Sequence, residues 1–302
     1  MRPGPQHRLL LGVDDDTLKW TPNPVGVVRR QQALGAHAVR VWVPWPAIRR
    51  DELARIAIAS KHTDVVLAVF GFARDTPRTA GAQRRYCTYA AHVLDRVPDA
   101  RAIVVWNEAN SPTYWSGTPA EYASLLDRCY PKLHRPGVTV LSSTTSAHAP
   151  EAFLRALGPV RVDAFGHNPY PRTASEPPAA RHRTGFLGQG DYARLASLLG
   201  PTAQIWYLED GFQSQVPALK RGHYDGRETV RPLSPGAQAR YLETAIRLAA
   251  CQPQVRAFFN FELVDEDRLA GWQSGLYWRG SRAKPAAAAY ARAAKLTRDG
   301  CP

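Results

Sequence analysis

The sequence contains no long apolar run. None of its stretches reaches the roughly 18 consecutive apolar residues that a membrane-spanning helix requires. The three leucines at positions 9–11 are the longest apolar run near the start, and they are too few for the hydrophobic part of a secretory signal. We therefore expect a soluble protein with no membrane partner and no signal peptide in this sequence.

The sequence also has little lysine. Only six of its 39 basic side chains are lysines and the rest are arginines; with 26 acidic residues, the net charge is +13. A nucleic-acid-binding protein concentrates such charge on one face or element. Here arginine pairs at 29–30, 49–50 and 84–85 are spread over several predicted helices, which indicates solvated helix faces and no nucleic-acid partner.

Several catalytic and metal-binding signatures are missing. There is no C-x-x-C pair and no H-E-x-x-H spacing, so we expect no metal and no cofactor. The first predicted strand is not followed by G-x-G-x-x-G, the glycine-rich turn typical of doubly wound open sheets. The run S-S-T-T-S at 142–146 lacks the G-x-S-x-G turn of serine hydrolases, which argues against that class of enzyme. For the acidic run Asp14, Asp15 and Asp16, a solvated or helix-capping loop is favoured over a substrate or cation site.

What the sequence does contain is an alternation of β-rich and amphipathic segments that repeats eight times. The strands are predicted at 9–13, 38–43, 64–70, 102–106, 138–142, 162–165, 203–208 and 256–261. The helices are predicted at 25–35, 51–61, 80–97, 118–134, 150–157, 191–199, 234–250 and 284–296. Asp51 is expected to cap the second helix, and Thr118 with Glu121 to form a capping box on the fourth.

This repeat predicts the α/β class, as a single (β/α)8 TIM barrel that spans residues 1–302 as one domain. A doubly wound open sheet is the alternative, although it usually carries a glycine-rich turn after its first strand. Two long loops, at 168–190 and 211–231, follow strands 6 and 7. Both leave the carboxyl ends of strands, where barrel enzymes build their sites.

The four cysteines fall into two pairs on this assignment. Cys87 and Cys129 lie on the neighbouring third and fourth helices, while Cys251 ends the seventh helix and Cys301 follows the eighth. Disulfides 87–129 and 251–301 would join neighbouring helices and fasten the C-terminal end. Such pairs favour a secreted or cell-surface protein, with four buried thiols as the alternative.

Two glutamates lie just past the ends of predicted strands 4 and 7, which face each other across the mouth of a barrel. Glu108 lies in W-N-E-A-N at 106–110, and Glu209 in Y-L-E-D-G at 207–211. Cleavage of a glycosidic bond needs such a pair: one carboxylic acid that protonates the leaving oxygen and one carboxylate that attacks the anomeric carbon. Asn107, beside Glu108, is a candidate donor to a sugar hydroxyl. Two surface glutamates in unrelated ion pairs are the alternative.

These segments resemble those of clan A glycoside hydrolases, particularly families 5 and 39 and their bacterial relatives. The sequence W-N-E-A-N is similar to their W-N-E-P-N motif, and Glu209 lies in a segment that resembles their nucleophile segment. The resemblance extends to V-R-V-W at 39–42, to D-A-F-G-H-N-P-Y at 163–170, and to W-Q-S-G-L at 272–276 followed by K-P-A at 284–286.

The resemblance implies a role for each matching residue. Glu108 would be the general acid/base and Glu209 the nucleophile of a retaining hydrolysis. Arg40 would keep Glu209 ionised, and Tyr170 would donate a hydrogen bond to it. The chain departs from the family pattern at Ala109, which replaces a proline behind Glu108. It departs again at 167–170, where either His167 or Asn168 takes the place of the family's histidine.

Tryptophans are the other candidate ligand contacts, because sugars stack their apolar C–H faces on indole rings. We assign Trp42 and Trp272 to the pocket, together with Arg40, Asn107, His167 and Tyr170 as the substrate-binding set. Trp106 and Trp206 lie inside strands and are expected in the core.

The prediction is thus a monomeric, retaining O-glycoside hydrolase that acts on a β-linked carbohydrate with its two carboxylates about 5–5.5 Å apart. An acidic polysaccharide stays open as the substrate because the two long loops contain five arginines: Arg172, Arg181, Arg183, Arg221 and Arg227. The alternative function is a carbohydrate-binding protein on the same barrel, with its catalysis impaired by changes such as Ala109.

Overall fold

The computed structural model describes residues 8–280 and 282–302, and it confirms the predicted (β/α)8 barrel. The eight parallel strands are β1 (Leu10–Asp14), β2 (Ala38–Pro44), β3 (Asp64–Phe70), β4 (Ala100–Val105), β5 (Thr139–Leu141), β6 (Phe165–His167), β7 (Ile205–Asp210) and β8 (Val255–Phe261). They are ordered β5-β4-β3-β2-β1-β8-β7-β6. Isolated parallel bridges from Leu141 to Ala164 and from Ser146 to Asn168 join the two edges and complete the ring.

Helices alternate with the strands around the outside of the barrel. They are α1 (Thr17–Trp20), α2 (Pro24–Gln32), α3 (Arg50–Ser60), α4 (Ala80–Arg96), α5 (Pro119–Leu133), α6 (Pro150–Leu157), α7 (Tyr192–Leu199), α8 (Pro235–Ala250) and α9 (Pro285–Leu296). Eight of them correspond to predicted helices, and α1 is additional. Among the described residues, none of these helices has the length and apolar character needed to cross a bilayer.

Buried tyrosines join the helices to the strands. Tyr86 on α4 donates a hydrogen bond to the carbonyl of Val69 (2.6 Å), and Tyr122 on α5 donates to that of Val105 (2.8 Å). Both side chains are fully buried, so each hydroxyl needs a partner inside the protein. These bonds hold α4 and α5 against the ends of β3 and β4, where the chain turns towards the site.

The two helix-capping predictions have different outcomes. Thr118 caps α5, and Glu121 completes the capping box as expected. The prediction for Asp51 is wrong: α3 begins one residue earlier, after Arg49, and Asp51 lies in its first turn. There its carboxylate pairs with Arg49 and Arg55 and interacts favourably with the positive end of the helix.

Three long loops rise from the carboxyl ends of the strands. The loops after β6 and β7 confirm the prediction. A third, at 262–284, connects β8 to α9 and was not predicted. A buried ion pair between Lys284 and Asp265 (2.6 Å) fixes this third loop, and the hydroxyl of Tyr224 donates to the same carboxylate. The three loops therefore build up one side of the barrel mouth.

Both predicted disulfides are present. Cys87–Cys129 joins α4 to α5, and Cys251–Cys301 joins the end of α8 to the C-terminal segment. The first pair is fully buried, whereas Cys251 and Cys301 are exposed. The two pairs close loops of similar length, with sequence separations of 42 and 50.

Replacing each cysteine pair by serines is expected to separate two contributions to the free energy of unfolding, one from the entropy of the unfolded chain and one from core packing. Both double variants should lose about 2–4 kcal/mol of unfolding free energy, because the loops they open are similar in length. Cys87→Ser/Cys129→Ser should lose more than Cys251→Ser/Cys301→Ser, since it places two hydroxyls in the core. Urea unfolding measures both losses, and a Cys251→Ser/Cys301→Ser variant as stable as wild type would mean that this disulfide does not form in solution.

Candidate active site

A cavity of about 960 Å³ opens at the carboxyl ends of the strands. It is lined by side chains from separate strand ends, among them Arg40 on β2, Glu108 after β4 and Glu209 on β7. The barrel thus brings the two predicted carboxylates, about a hundred residues apart in sequence, into one cavity. Glu209 lies within β7 and not past its end, because β7 continues to Asp210, which pairs with Asn260 on β8.

Glu209 is held by one cation and one hydroxyl. Arg40 Nη1 lies 2.7 Å from Glu209 Oε1, and the Tyr170 hydroxyl donates to Oε2 at 3.1 Å. Burial and the nearby carboxylates raise the pKa of Tyr170 far above its usual range, so this hydroxyl keeps its proton. One oxygen of Glu209 is thus in an ion pair and the other accepts a hydrogen bond.

Arg40 is itself fixed on several sides. It is buried, its guanidinium pairs with Asp14, and its Nη2 donates to Asn107 Oδ1 at 2.9 Å. The same Asn107 oxygen accepts a hydrogen bond from Thr144 Oγ1 at 2.7 Å. With its oxygen doubly occupied, the amide presents its nitrogen as the free donor. Asn107 Nδ2 has no hydrogen bond among the described residues, and so is available to a ligand hydroxyl.

Glu108 lies in a different environment. Its burial, and next the negative charge of Glu209, raise its pKa to about 7. Asn168 Nδ2, which donates to Glu108 Oε1 at 3.0 Å, and the charge of Arg40 act in the opposite direction. Because burial is the largest of these effects, a large fraction of Glu108 is protonated near neutral pH.

A strained turn presents Glu108 to the cavity. Trp106 (φ 75°) and Glu108 (φ 36°) both adopt the left-handed conformation, which costs roughly 1–3 kcal/mol for each non-glycine residue. Hydrogen bonds from the turn to the polar run after β5 offset this cost: the Glu108 amide donates to Thr144 Oγ1 (3.1 Å) and the Ala109 amide to Ser143 Oγ (3.4 Å). A proline at 109 would lack that donor, so the alanine adds an anchor to the turn.

His167 does not lie where a substrate contact would be expected. It is 1% exposed, it does not line the cavity, and its ring bonds to Thr145 Oγ1 (2.7 Å) and to the carbonyl of Leu187 (2.8 Å). Burial lowers its pKa to about 4, so the ring is neutral. Successive residues at a strand end point in opposite directions. For this reason the next residue, Asn168, is the one that reaches Glu108.

The tryptophans divide as expected. Trp42 and Trp272 both line the cavity, and Trp272 packs against Tyr170 with ring centroids 4.6 Å apart. Trp106 and Trp206 are buried in the core. The aromatic contacts available to a ligand therefore come from two elements on either side of β1, Trp42 from β2 and Trp272 from the loop after β8.

The acidic run that ends β1 was expected to be a solvated or capping loop, and this is wrong, although Asp16 occupies the N-cap position of α1 without a capping hydrogen bond from its side chain. Asp14 and Asp15 are buried, and all three aspartates line the cavity. Asp14 pairs with Arg40, while Asp16 accepts a hydrogen bond from the Trp42 amide (3.0 Å) and pairs with Lys19 (2.9 Å). Their position at the carboxyl end of a barrel strand was the signal that could have identified them.

The cavity is rich in acidic side chains although the protein is basic. Among the described residues, nine acidic side chains and four arginines line it: Asp14, Asp15, Asp16, Glu108, Glu209, Glu262, Asp265, Glu266 and Asp267 against Arg40, Arg172, Arg268 and Arg279. Of the five loop arginines that pointed to an acidic substrate, only Arg172 is among them. Glu262 is notable because burial and the neighbouring carboxylates raise its pKa well above its usual range.

Comparison with known proteins bears on the fold. Neither family models nor curated protein sequences match the chain. A family 39 glycoside hydrolase from Bacteroides cellulosilyticus superposes with a TM-score of 0.73 at 17% identity, over 98% of this chain and 65% of its own. A GH5_18 protein from Bifidobacterium longum subsp. infantis gives 0.71 at 17%, over 97% and 80%.

A GH5_18 protein from Streptomyces cattleya, in complex with Manβ1-4GlcNAc, gives a TM-score of 0.67 at 17% identity, over 97% of this chain and 82% of its own. The resemblance to clan A glycoside hydrolases is therefore confirmed in the fold. The chain spans about two thirds of the family 39 structure and about four fifths of the GH5_18 structures.

Proposed function

We propose that this protein is a retaining O-glycoside hydrolase that cleaves a β-linked carbohydrate, with Glu209 as nucleophile and Glu108 as acid/base. One observation carries the proposal: a single cavity holds a glutamate paired with Arg40 and hydrogen-bonded to Tyr170, and a second glutamate whose pKa is raised to about 7. Two carboxyl groups in such different environments can divide the acid and nucleophile roles between them.

In the first step, the Glu209 carboxylate attacks the anomeric carbon, and the bond to the leaving oxygen breaks. Glu108 transfers its proton to that oxygen, so the product is an alcohol, and the sugar is joined to Glu209 as an ester. The Asn107 amide nitrogen is placed to donate to a sugar hydroxyl.

In the second step, water attacks the anomeric carbon while Glu108 removes its proton, and the bond to Glu209 breaks. Formation of the ester removes the negative charge of Glu209, which is one of the two causes that raise the pKa of Glu108. The pKa of Glu108 therefore falls in the intermediate, which suits its change from acid to base.

The substrate we infer is neutral near the reacting bond. Arg40, the cation beside Glu209, is already paired with Asp14 and Glu209, so it is not available to bind the carboxylate of a uronic acid. The Manβ1-4GlcNAc complex of the Streptomyces cattleya protein makes β-mannosides a reasonable first choice. The two disulfides are compatible with a secreted or cell-surface protein, which we retain as part of the proposal.

A panel of aryl β-glycosides tests the proposal. We expect turnover of a β-mannoside, β-glucoside or β-galactoside in preference to a β-glucuronide. NMR of the first-formed sugar should show the β-anomer, which matches carboxylates about 5–5.5 Å apart. An α-anomer would contradict the double displacement. Oligosaccharide binding by calorimetry without release of reducing ends would favour the binding-protein alternative.

The pH dependence tests the assignment of Glu108. Because Glu108 must carry a proton to act as the acid, kcat/KM should fall as pH rises through about 7. Asn168→Ala removes a hydrogen bond that favours the carboxylate, so the pKa of Glu108 should rise. The fall in kcat/KM should therefore occur about one pH unit higher in this variant.

Asn110→Ala is the matched control for that shift. Asn110 Nδ2 donates to the carbonyls of Ser146 and His148 in the same region, and it makes no hydrogen bond to Glu108. The pH at which kcat/KM falls should therefore not change in Asn110→Ala. An equal shift of this pH in both variants would mean that the shift comes from general disturbance of the loop and not from loss of the Asn168 contact.

A further inference from the structure

Some of the apolar side chains that the fold leaves exposed gather at the cavity mouth. The large hydrophobic residues exposed in the described chain are Trp20, Ile58, Phe72, Leu219, Val230 and Leu296. Half of these line the catalytic cavity, namely Trp20, Phe72 and Val230. Trp20 is 64% exposed, although tryptophan is highly buried on average in folded proteins. This ring is left open to solvent at the entrance to the site.

The short helix that bears Trp20 is firmly attached to the barrel. The neighbouring Lys19 is buried, pairs with Asp16 (2.9 Å), and donates to the carbonyl of Trp42 (2.6 Å). Arg55 on α3 donates to the Lys19 carbonyl at 2.7 Å. The backbone next to Trp20 is thus held on two sides, so the exposure of the ring does not come from a loosely attached segment.

The ring of Trp20 continues an aromatic wall that begins inside the cavity. The Lys19 ammonium lies 5.5 Å from the Trp20 ring centroid and 5.3 Å from that of Trp42, so both rings flank one cation. Trp42 stacks on Phe70 (5.5 Å) and meets Phe72 edge-on (6.2 Å). The wall therefore runs from the cavity lining near β2 and β3 outwards to Trp20.

We propose that Trp20 forms a distal saccharide-binding subsite, and that the substrate is a chain whose outer unit stacks on this ring. The inference rests on the proposed function, since the aromatic wall lies in the cavity assigned to hydrolysis. Saccharide units offer apolar C–H faces to aromatic rings and keep their hydroxyls for polar partners. A substrate confined to the two sugars at the scissile bond would leave the outer ring uncovered.

The test compares chain lengths in Trp20→Ala and wild type. The probes are β-1,4-linked manno- and gluco-oligosaccharides of two to six units, beside the best aryl β-glycoside. In wild type, kcat/KM should rise with chain length. In Trp20→Ala it should fall about tenfold for the longest chains and stay unchanged for the aryl glycoside. Ile58→Ala, which trims an exposed apolar side chain on α3 outside the cavity, should match wild type throughout.

Tryptophan fluorescence titration with the hexaoses separates this inference from the proposed function. Weaker binding to Trp20→Ala than to wild type would support the subsite even if no bond were cleaved. Aryl glycoside turnover without binding of any oligosaccharide would overturn the subsite while leaving the hydrolase standing. An equal loss on aryl glycoside and hexaose would also overturn it, as would self-association of wild type that Trp20→Ala abolishes.

Discussion

Replacing Glu209 by alanine is expected to lower kcat on an aryl β-glycoside by about 10⁵-fold without unfolding the protein. The loss is large because no other carboxylate is held by both Arg40 and Tyr170 in the described structure. The fold should survive because Arg40 keeps two partners in the variant, Asp14 and Asn107. Thermal unfolding checks that second point.

Added azide should then restore turnover and identify the role of the lost group. The small anion can enter the space that the carboxylate leaves and attack from the face opposite the leaving group, so a β-glycoside should yield an α-glycosyl azide. Glu108 is still present to protonate the leaving oxygen. A β-glycosyl azide from this variant would mean that Glu108 and Glu209 have exchanged roles.

Glu243→Ala is the matched control for Glu209→Ala. Glu243 lies on α8 and pairs with Arg292 on α9, at the outside of the barrel. Its loss should change stability by less than about 1 kcal/mol and leave kcat unchanged. A comparable fall in kcat for both variants would show that the assay reports loss of folded protein and not loss of the nucleophile.

The barrel could be predicted because its periodic signals are local. For β3 and α6 the predicted bounds, 64–70 and 150–157, are those observed. The errors occur where pairing between strands distant in sequence determines the bounds of an element. The sixth strand was predicted at 162–165, but β6 occupies Phe165–His167, since those are the residues that pair with β7. The four-residue helix α1 is too short to have a periodic pattern.

The site was predictable where a residue's position along its strand determines its direction. Arg40, Asn107, Glu108 and Tyr170 all line the cavity, as expected. His167 was misplaced because a shift of one residue at a strand end reverses the side chain, and the sequence H-N-P-Y permits either alignment. The role of the run at 142–146 was not predictable, because only the folded chain shows that Ser143 and Thr144 anchor the Glu108 turn.

Replacing Glu108 by alanine is expected to have an effect that depends on the leaving group. For an oligosaccharide, whose alkoxide leaves poorly without a proton, kcat/KM should fall by about 10²–10⁴-fold. For a 2,4-dinitrophenyl glycoside, which needs no proton, the first step should be nearly unaffected. The ester on Glu209 should then accumulate, because no base activates the water, and a burst of dinitrophenolate should precede slow turnover.

Azide should rescue the second step of this variant with the opposite stereochemistry. It would attack the sugar ester of Glu209 from the face where water normally enters, so the product should be a β-glycosyl azide. The pair of variants thus yields two anomers from one substrate, a result that disturbance of the fold alone cannot produce. Equal losses on both leaving groups would contradict the acid/base role of Glu108.

The pH profile of Glu108→Ala decides which carboxyl group controls the decline in activity above neutral pH. Burial raises the pKa of Asp15 to about 7 as well, and Asp15 lines the same cavity. If Glu108 is the acid, the limb near pH 7 should disappear in Glu108→Ala and persist in Asp15→Asn. If the limb instead follows Asp15, the proton that limits turnover belongs to the β1 end of the cavity. The general acid would then lie at that end of the cavity, because only a group whose protonation state limits the rate affects the pH dependence of kcat/KM.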